Sequence, residues 1–171
     1  EKAHGTGEAT GSLRVTHLSR KEASPSFLSS APARCALFPT VNAVALFLKY
    51  PEPGRVKTRL AREIGAENAV AAYRWLAARA VAALPENDAR FAWFDPAERA
   101  ADVRAWLEGL RSGWAGMVAQ PPTDLGGRMA EAVETLFARG FAKVALVGAD
   151  CPELGPPHFA AAWDALDRAD A

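Results

Sequence analysis

Cysteine is almost missing from this chain. The 171 residues hold two, Cys35 and Cys151, which is too few to staple a scaffold in a chain long enough to bury a core unaided. A reducing, cytoplasmic setting is the expectation that follows. Histidine is nearly as scarce: of three, His4 and His17 fall in the first forty residues and only His158 lies beyond, so no histidine metal triad can form. Long apolar runs are missing too. The longest, at 41–48, is broken by Asn42 and is far too short for about 30 Å of hydrocarbon, so no helical membrane span is expected. An excess of one charge is also lacking, since 20 Lys and Arg balance 20 Asp and Glu. That balance removes the broad positive field of a non-specific nucleic-acid binder, and any anion site must be local. What is present, 50% hydrophobic and 23% charged residues, is the composition and length of one globular domain.

The first forty residues differ from the rest. Segment 1–40 is rich in Gly, Ser, Ala and Pro and has no Trp or Tyr, whereas all five tryptophans lie between Trp75 and Trp163. With so little bulky apolar surface it cannot offset the entropy of ordering itself, and it reads as a flexible tail ahead of a domain at 41–171. From residue 43 the pattern is regular. The apolar run at 43–48, before a Pro/Gly segment, predicts a strand buried on both faces. Val70, Tyr73, Ala77, Ala80, Val81 and Leu84 recur at helical spacing until Pro85 stops them. Segments 90–94, 117–119 and 143–147 read as three further strands. Between and after them run helical stripes: Val103, Trp106, Leu107 and Leu110; then Met129, Ala132, Val133, Leu136 and Phe137, ended by Gly140; then Phe159, Ala162, Trp163 and Leu166. Alternating strands and helices predict an α/β domain with a mostly parallel sheet and helices on both faces.

In such sheets ligands bind beyond the carboxyl ends of the strands, which directs attention to three loops. The first places Lys49, Arg55, Lys57 and Arg59 within eleven residues containing one acid, Glu52. Ammonium and guanidinium groups there can hold a di- or triphosphate, and Gly54 would allow close backbone approach; the alternative is a solvated face at a helix start. It is not a Walker A loop, because Gly54-Arg-Val-Lys-Thr58 lacks the second glycine of that motif. After the fourth strand, Asp150 is a candidate ligand for a divalent cation, with Glu153 a poorer one and turn chemistry the alternative. Cys151 has only His158 as a possible activating partner, and reads as a merely adjacent thiol. The middle loop brings Gly126 and Gly127 to a helix start, for a ligand or for a capping turn on Asp124.

Three segments, KYPEPGRVKTRL at 49–60, DLGGRM at 124–129 and GADCPEL at 148–154, together resemble the bacterial transferases of the DUF2064 group, which are glycosyltransferase-A-like. The resemblance runs from about residue 41 to the end. It implies a nucleotide-diphospho-sugar transferase fold, a three-layer α/β/α sandwich shared by glycosyltransferases and small nucleotidyltransferases. It also implies that Arg55, Lys57 and Arg59 meet nucleotide phosphates with Lys49 nearby, that Gly126 and Gly127 lie near the base or ribose, and that Asp150 binds Mg²⁺ or Mn²⁺. Relatives often carry Gly where Thr123 stands, and they continue past residue 171 into a further strand and a glycine-rich, acid-bearing segment, so the fold is expected to be C-terminally incomplete. The activity implied is transfer of a sugar from a nucleotide sugar to a small-molecule acceptor. The alternatives are a nucleotidyltransferase that releases pyrophosphate from a nucleoside triphosphate, and an inactive nucleotide-binding remnant.

Overall fold

The computed structural model describes residues 42–168. The expected tail at 1–40, with Cys35, His4 and His17, lies outside the described residues. Four strands, β1 (Ala43–Lys49), β2 (Ala89–Asp95), β3 (Gly116–Ala119) and β4 (Val144–Gly148), alternate with helices. Helices α1 (Thr58–Ile64) and α2 (Ala66–Ala83) follow β1, α3 (Ala100–Leu110) follows β2, α4 (Leu125–Ala138) follows β3, and α5 (Pro156–Arg168) follows β4. The sheet order is β3-β2-β1-β4 and every ladder is parallel, with Ala43 of β1 in register with both Ala89 and Val144.

The period of two along β1 builds two cores. Val44, Leu46 and Leu48 face one helical layer, together with α2 residues Tyr73, Ala77 and Val81, α3 residues Val103 and Leu107, and Phe159 of α5. Ala43, Ala45 and Phe47 face the other, where Phe91, Trp93 and α4 residues Ala132, Val133 and Leu136 close in. The apolar run at 43–48 is therefore buried on both sides, as a central parallel strand requires. The layers are unequal, three long helices on one face and α4 on the other. Right-handed crossovers explain this, since helices of steps running one way along the sheet share a face and the step that returns takes the opposite one.

The stripe predicted for α2 is buried throughout, from Val70 to Leu84. Two stripes end less deeply than predicted, with Leu110 and Phe137 left on the surface, each in the last turn of its helix. Helix α1 has no buried residue, so no apolar stripe announces it. Gly65, at φ +85°, separates it from α2 in a conformation that favours glycine. Helix α4 starts at Leu125, upstream of the stripe, because Asp124 caps it: Asp124 Oδ1 accepts from the Gly127 N–H at 2.7 Å. Among the described residues no helix is long and apolar enough to cross a membrane.

Candidate functional site

The strand order fixes where a ligand can bind. From β1 the chain moves outward to β2 and β3, then returns to place β4 on the other side of β1, so the order reverses between β1 and β4. The loops leaving β1 and β4 lead to α2 and α5 on one face of the sheet, while the loop leaving β3 leads to α4 on the other, and a crevice opens between them at the carboxyl ends. A cleft of about 800 Å³ lies there. Five cations line it, Lys49, Arg55, Lys57, Arg59 and Arg128, against two carboxylates, Asp124 and Asp150. In a chain of formal charge zero, that local excess gives the cleft a positive field.

The loop after β1 is held rigidly. The Tyr73 hydroxyl accepts from the Lys49 N–H at 2.9 Å and donates to the Lys49 carbonyl at 3.1 Å, so one side chain of α2 satisfies both polar groups at the strand end. Burial pushes the Tyr73 phenol up to about 12 and keeps it neutral. Tyr50 packs edge-on to Trp106 and lies under the Arg99 guanidinium, 5.2 Å from its ring centre. Glu52, the single acid of this loop, accepts from Arg99 at 3.0 Å and stands 3.8 Å from Arg55. Arg99 is held above the usual guanidinium range by its hydrogen bonds to Glu52 and Asp102. Gly54, at φ +77°, makes the turn. Its added Cβ would meet no atom of the chain, so the backbone conformation alone accounts for glycine there.

Lys57 is the residue the loop delivers to the centre. Its backbone is left-handed, φ 47° and ψ 44°, unusual for a side chain with a Cβ. Its Nζ lies 2.8 Å from Asp150 Oδ2, on the loop that leaves the neighbouring strand β4 and 93 residues away in sequence. Asp150 is aimed by the end of β4: the Ala149 N–H donates to the Phe47 carbonyl at 3.0 Å, and a Cβ at Gly148 would come within 2.9 Å of Asp150 Oδ1. Arg79 of α2 holds the next turn through the Pro152 carbonyl.

The side chains of Gln120 and of Arg128, the arginine of the DLGGRM segment to which the sequence alone assigns no role, complete the other wall. The Gln120 amide donates to the Trp93 carbonyl at 2.8 Å and the Leu48 carbonyl at 3.3 Å, tying the ends of β1 and β2 together. Its Oε1 accepts from Arg128 Nη1 at 3.0 Å, and Arg128 Nε donates to the Thr123 carbonyl at 2.8 Å. Asp95 Oδ2 lies between two of the cations, 3.8 Å from Arg128 and 3.9 Å from Lys49. Only the sheet order brings these groups together, although an arginine in the first turn of the helix that DLGGRM opens was a visible signal.

Of the sequence-predicted residues, Lys49, Arg55, Lys57, Arg59 and Asp150 share the cleft, while Gly54, Gly126 and Gly127 are not among those lining it. A Cβ at Gly127 would press on Thr123 Oγ1 at 2.9 Å, so this glycine serves the cap turn. Glu153 is an exposed residue outside the lining. His158 uses its Nδ1 to accept from the Gly155 N–H at 3.1 Å, which occupies the nitrogen that could have taken a proton from Cys151.

The chain is similar to the crystal structure of a "putative nucleotide-diphospho-sugar transferase" from Desulfovibrio desulfuricans G20, at 31% identity and a TM-score of 0.62. The match covers 75% of this chain and 54% of that one, so this chain spans about half the length of its solved neighbour. The fold is thereby the nucleotide-diphospho-sugar transferase fold, a parallel α/β sheet between helical layers. A family model described as "Uncharacterized protein conserved in bacteria (DUF2064)" matches residues 74–171. That is more than half of the chain, and the chain belongs to this family. The matched residues contain the 124–129 and 148–154 segments and begin after the basic loop. No curated protein matches the chain.

Proposed function

We propose that this chain carries the donor-binding face of a metal-dependent glycosyltransferase-like enzyme, which takes a sugar from a nucleotide-diphospho-sugar and passes it to a small-molecule acceptor. The observation that supports this most directly is the cleft at the β1/β4 switch point, where five cations stand against two carboxylates, Asp150 and the helix-capping Asp124. The solved neighbour's description adds the substrate class. Arg55, Lys57 and Arg59 hold the diphosphate, and Lys49 and Arg128, steadied by Asp95, extend the positive wall. As the bond to the sugar carbon breaks, charge grows on the leaving diphosphate, and these fixed cations stabilise it.

Metal dependence has a bounded fit. Among the described residues no three His, Cys, Asp or Glu side chains group as a metal cage. Mg²⁺ and Mn²⁺ are commonly held by only one or two carboxylates, with substrate phosphates and water completing the shell. Asp150, its side chain 52% exposed at the cleft, offers that one protein ligand, and a cation there would neutralise the leaving diphosphate.

The test is the thermal midpoint of the chain against nucleotide sugars and nucleoside triphosphates, with and without Mn²⁺. A ligand at about a hundred times its Kd adds about 2.7 kcal/mol, a shift of several degrees. A shift with a nucleotide sugar that needs Mn²⁺ and is lost in Asp150→Ala is the expected result. Preference for a triphosphate, with pyrophosphate as product, would replace sugar transfer by nucleotidyl transfer. No shift with any nucleotide would overturn the reading.

A further inference from the structure

Lys57 and Asp150 stand on the two loops that flank the crevice, and they already bind one another. Three features set this contact apart from a surface ion pair. It spans 93 residues at 2.8 Å between Nζ and Oδ2. The Lys57 side chain is the more enclosed partner, 28% exposed against 52% for Asp150. The lysine also reaches the acid from a left-handed backbone at φ 47°, a conformation that aims the side chain at some cost in strain. Other cations of the cleft rest on acids placed behind or beside them, Lys49 and Arg128 on Asp95 and Arg55 on Glu52. Lys57 alone rests on the acid that the proposed site needs for a divalent cation.

We propose that Lys57 is a resident counter-ion that keeps Asp150 closed to divalent metal until a polyphosphate draws the ammonium away. A Mg²⁺ or Mn²⁺ ion approaches a carboxylate oxygen to about 2.1 Å, and it cannot share Oδ2 with an ammonium without strong cation–cation repulsion. A diphosphate in the cleft gives Lys57 a second anion of higher charge, and Asp150 is freed as the lysine turns to it. Nucleotide therefore precedes metal, or brings it, and by linkage metal tightens nucleotide binding by the same factor. This inference rests on the phosphate-binding reading above, and its test separates the two.

Mn²⁺ binding to the chain is followed by the electron paramagnetic resonance of free Mn²⁺, without nucleotide. Lys57→Met and Lys57→Gly are compared with wild type, after circular dichroism shows that each is folded. Glycine at this position keeps the left-handed backbone without strain, so a change shared by both variants is due to the lost ammonium. Each variant is expected to bind Mn²⁺ about tenfold or more tightly than wild type, and Asp150→Asn added to either removes the gain. Separately, inorganic pyrophosphate is titrated into the wild-type chain in EDTA by calorimetry, where binding is expected. Variants that bind Mn²⁺ no better than wild type, with pyrophosphate bound, overturn the gate alone. Pyrophosphate that fails to bind, with the Mn²⁺ gain intact, overturns the release step through the reading it rests on.

Discussion

The Tyr73 hydroxyl and the Lys49 backbone exchange two hydrogen bonds, at 2.9 and 3.1 Å, where β1 gives way to the basic loop. Removing the oxygen in Tyr73→Phe leaves a donor and an acceptor of Lys49 without partners. The expected loss is about 1–3 kcal/mol. The phenol also gives the fold an alkaline limit. Its folded value is raised from 10.0 to about 12, so the folded state keeps this proton after the unfolded chain has lost it. This contribution is intact below pH 10 and declines as the pH rises from 10 to 12, by up to about 3 kcal/mol. Urea titrations at pH 8 and pH 11 check both points: wild type loses more stability between them than Tyr73→Phe does.

Gly148→Ala tests how Asp150 is aimed. The new methyl group would lie 2.9 Å from Asp150 Oδ1, and the carboxylate must swing away. Gly148 has no positive φ, so the strand itself accepts alanine. The expected outcome is a weakened Mn²⁺-dependent shift of the thermal midpoint by ligand, with the unliganded midpoint little changed.

Arg59 lines the cleft without a hydrogen bond or ion pair among the described residues. Arg59→Ala should therefore leave stability within about 0.5 kcal/mol of wild type. Pyrophosphate affinity measured by calorimetry should fall, and the remaining affinity should depend less steeply on salt. A variant that lost stability as well would show that the guanidinium serves the fold.

Asp124 holds the first turn of α4 through the Gly127 N–H at 2.7 Å. Asp124→Ala should cost about 1 kcal/mol, and Asp124→Asn, which keeps an accepting oxygen, appreciably less. Denaturant midpoints of the three proteins decide the order.

The sequence carried the scaffold because the scaffold is periodic. The run at 43–48 and the stripe from Val70 to Leu84 announce a central strand and its covering helix, and both are buried as their spacing requires. Helix α1 left no such trace, since seven residues with no buried side chain have no apolar face to reveal them. The basic loop and Asp150 were legible as charge after buried strands. Their meeting was not, because it depends on β4 lying beside β1. For the same reason the parts that Gln120, Arg128 and Tyr73 play in the site escaped notice, each joining elements that are distant in the chain. Gly126 and Gly127 were visible as glycines, but their surroundings show a capping turn, with Gly127 pressed against Thr123.

Strand order also ranks the two halves of the site by how readily each can come apart. β1, which bears the basic loop, is paired on both sides, whereas β4, which bears Asp150, pairs among the described residues with β1 alone. Amide protons along β1 should exchange with solvent only when the whole domain opens, while those of β4 can exchange by peeling of a single ladder. Exchange along β4 that outpaces exchange along β1 would mean that the acid leaves and returns while the cations hold still.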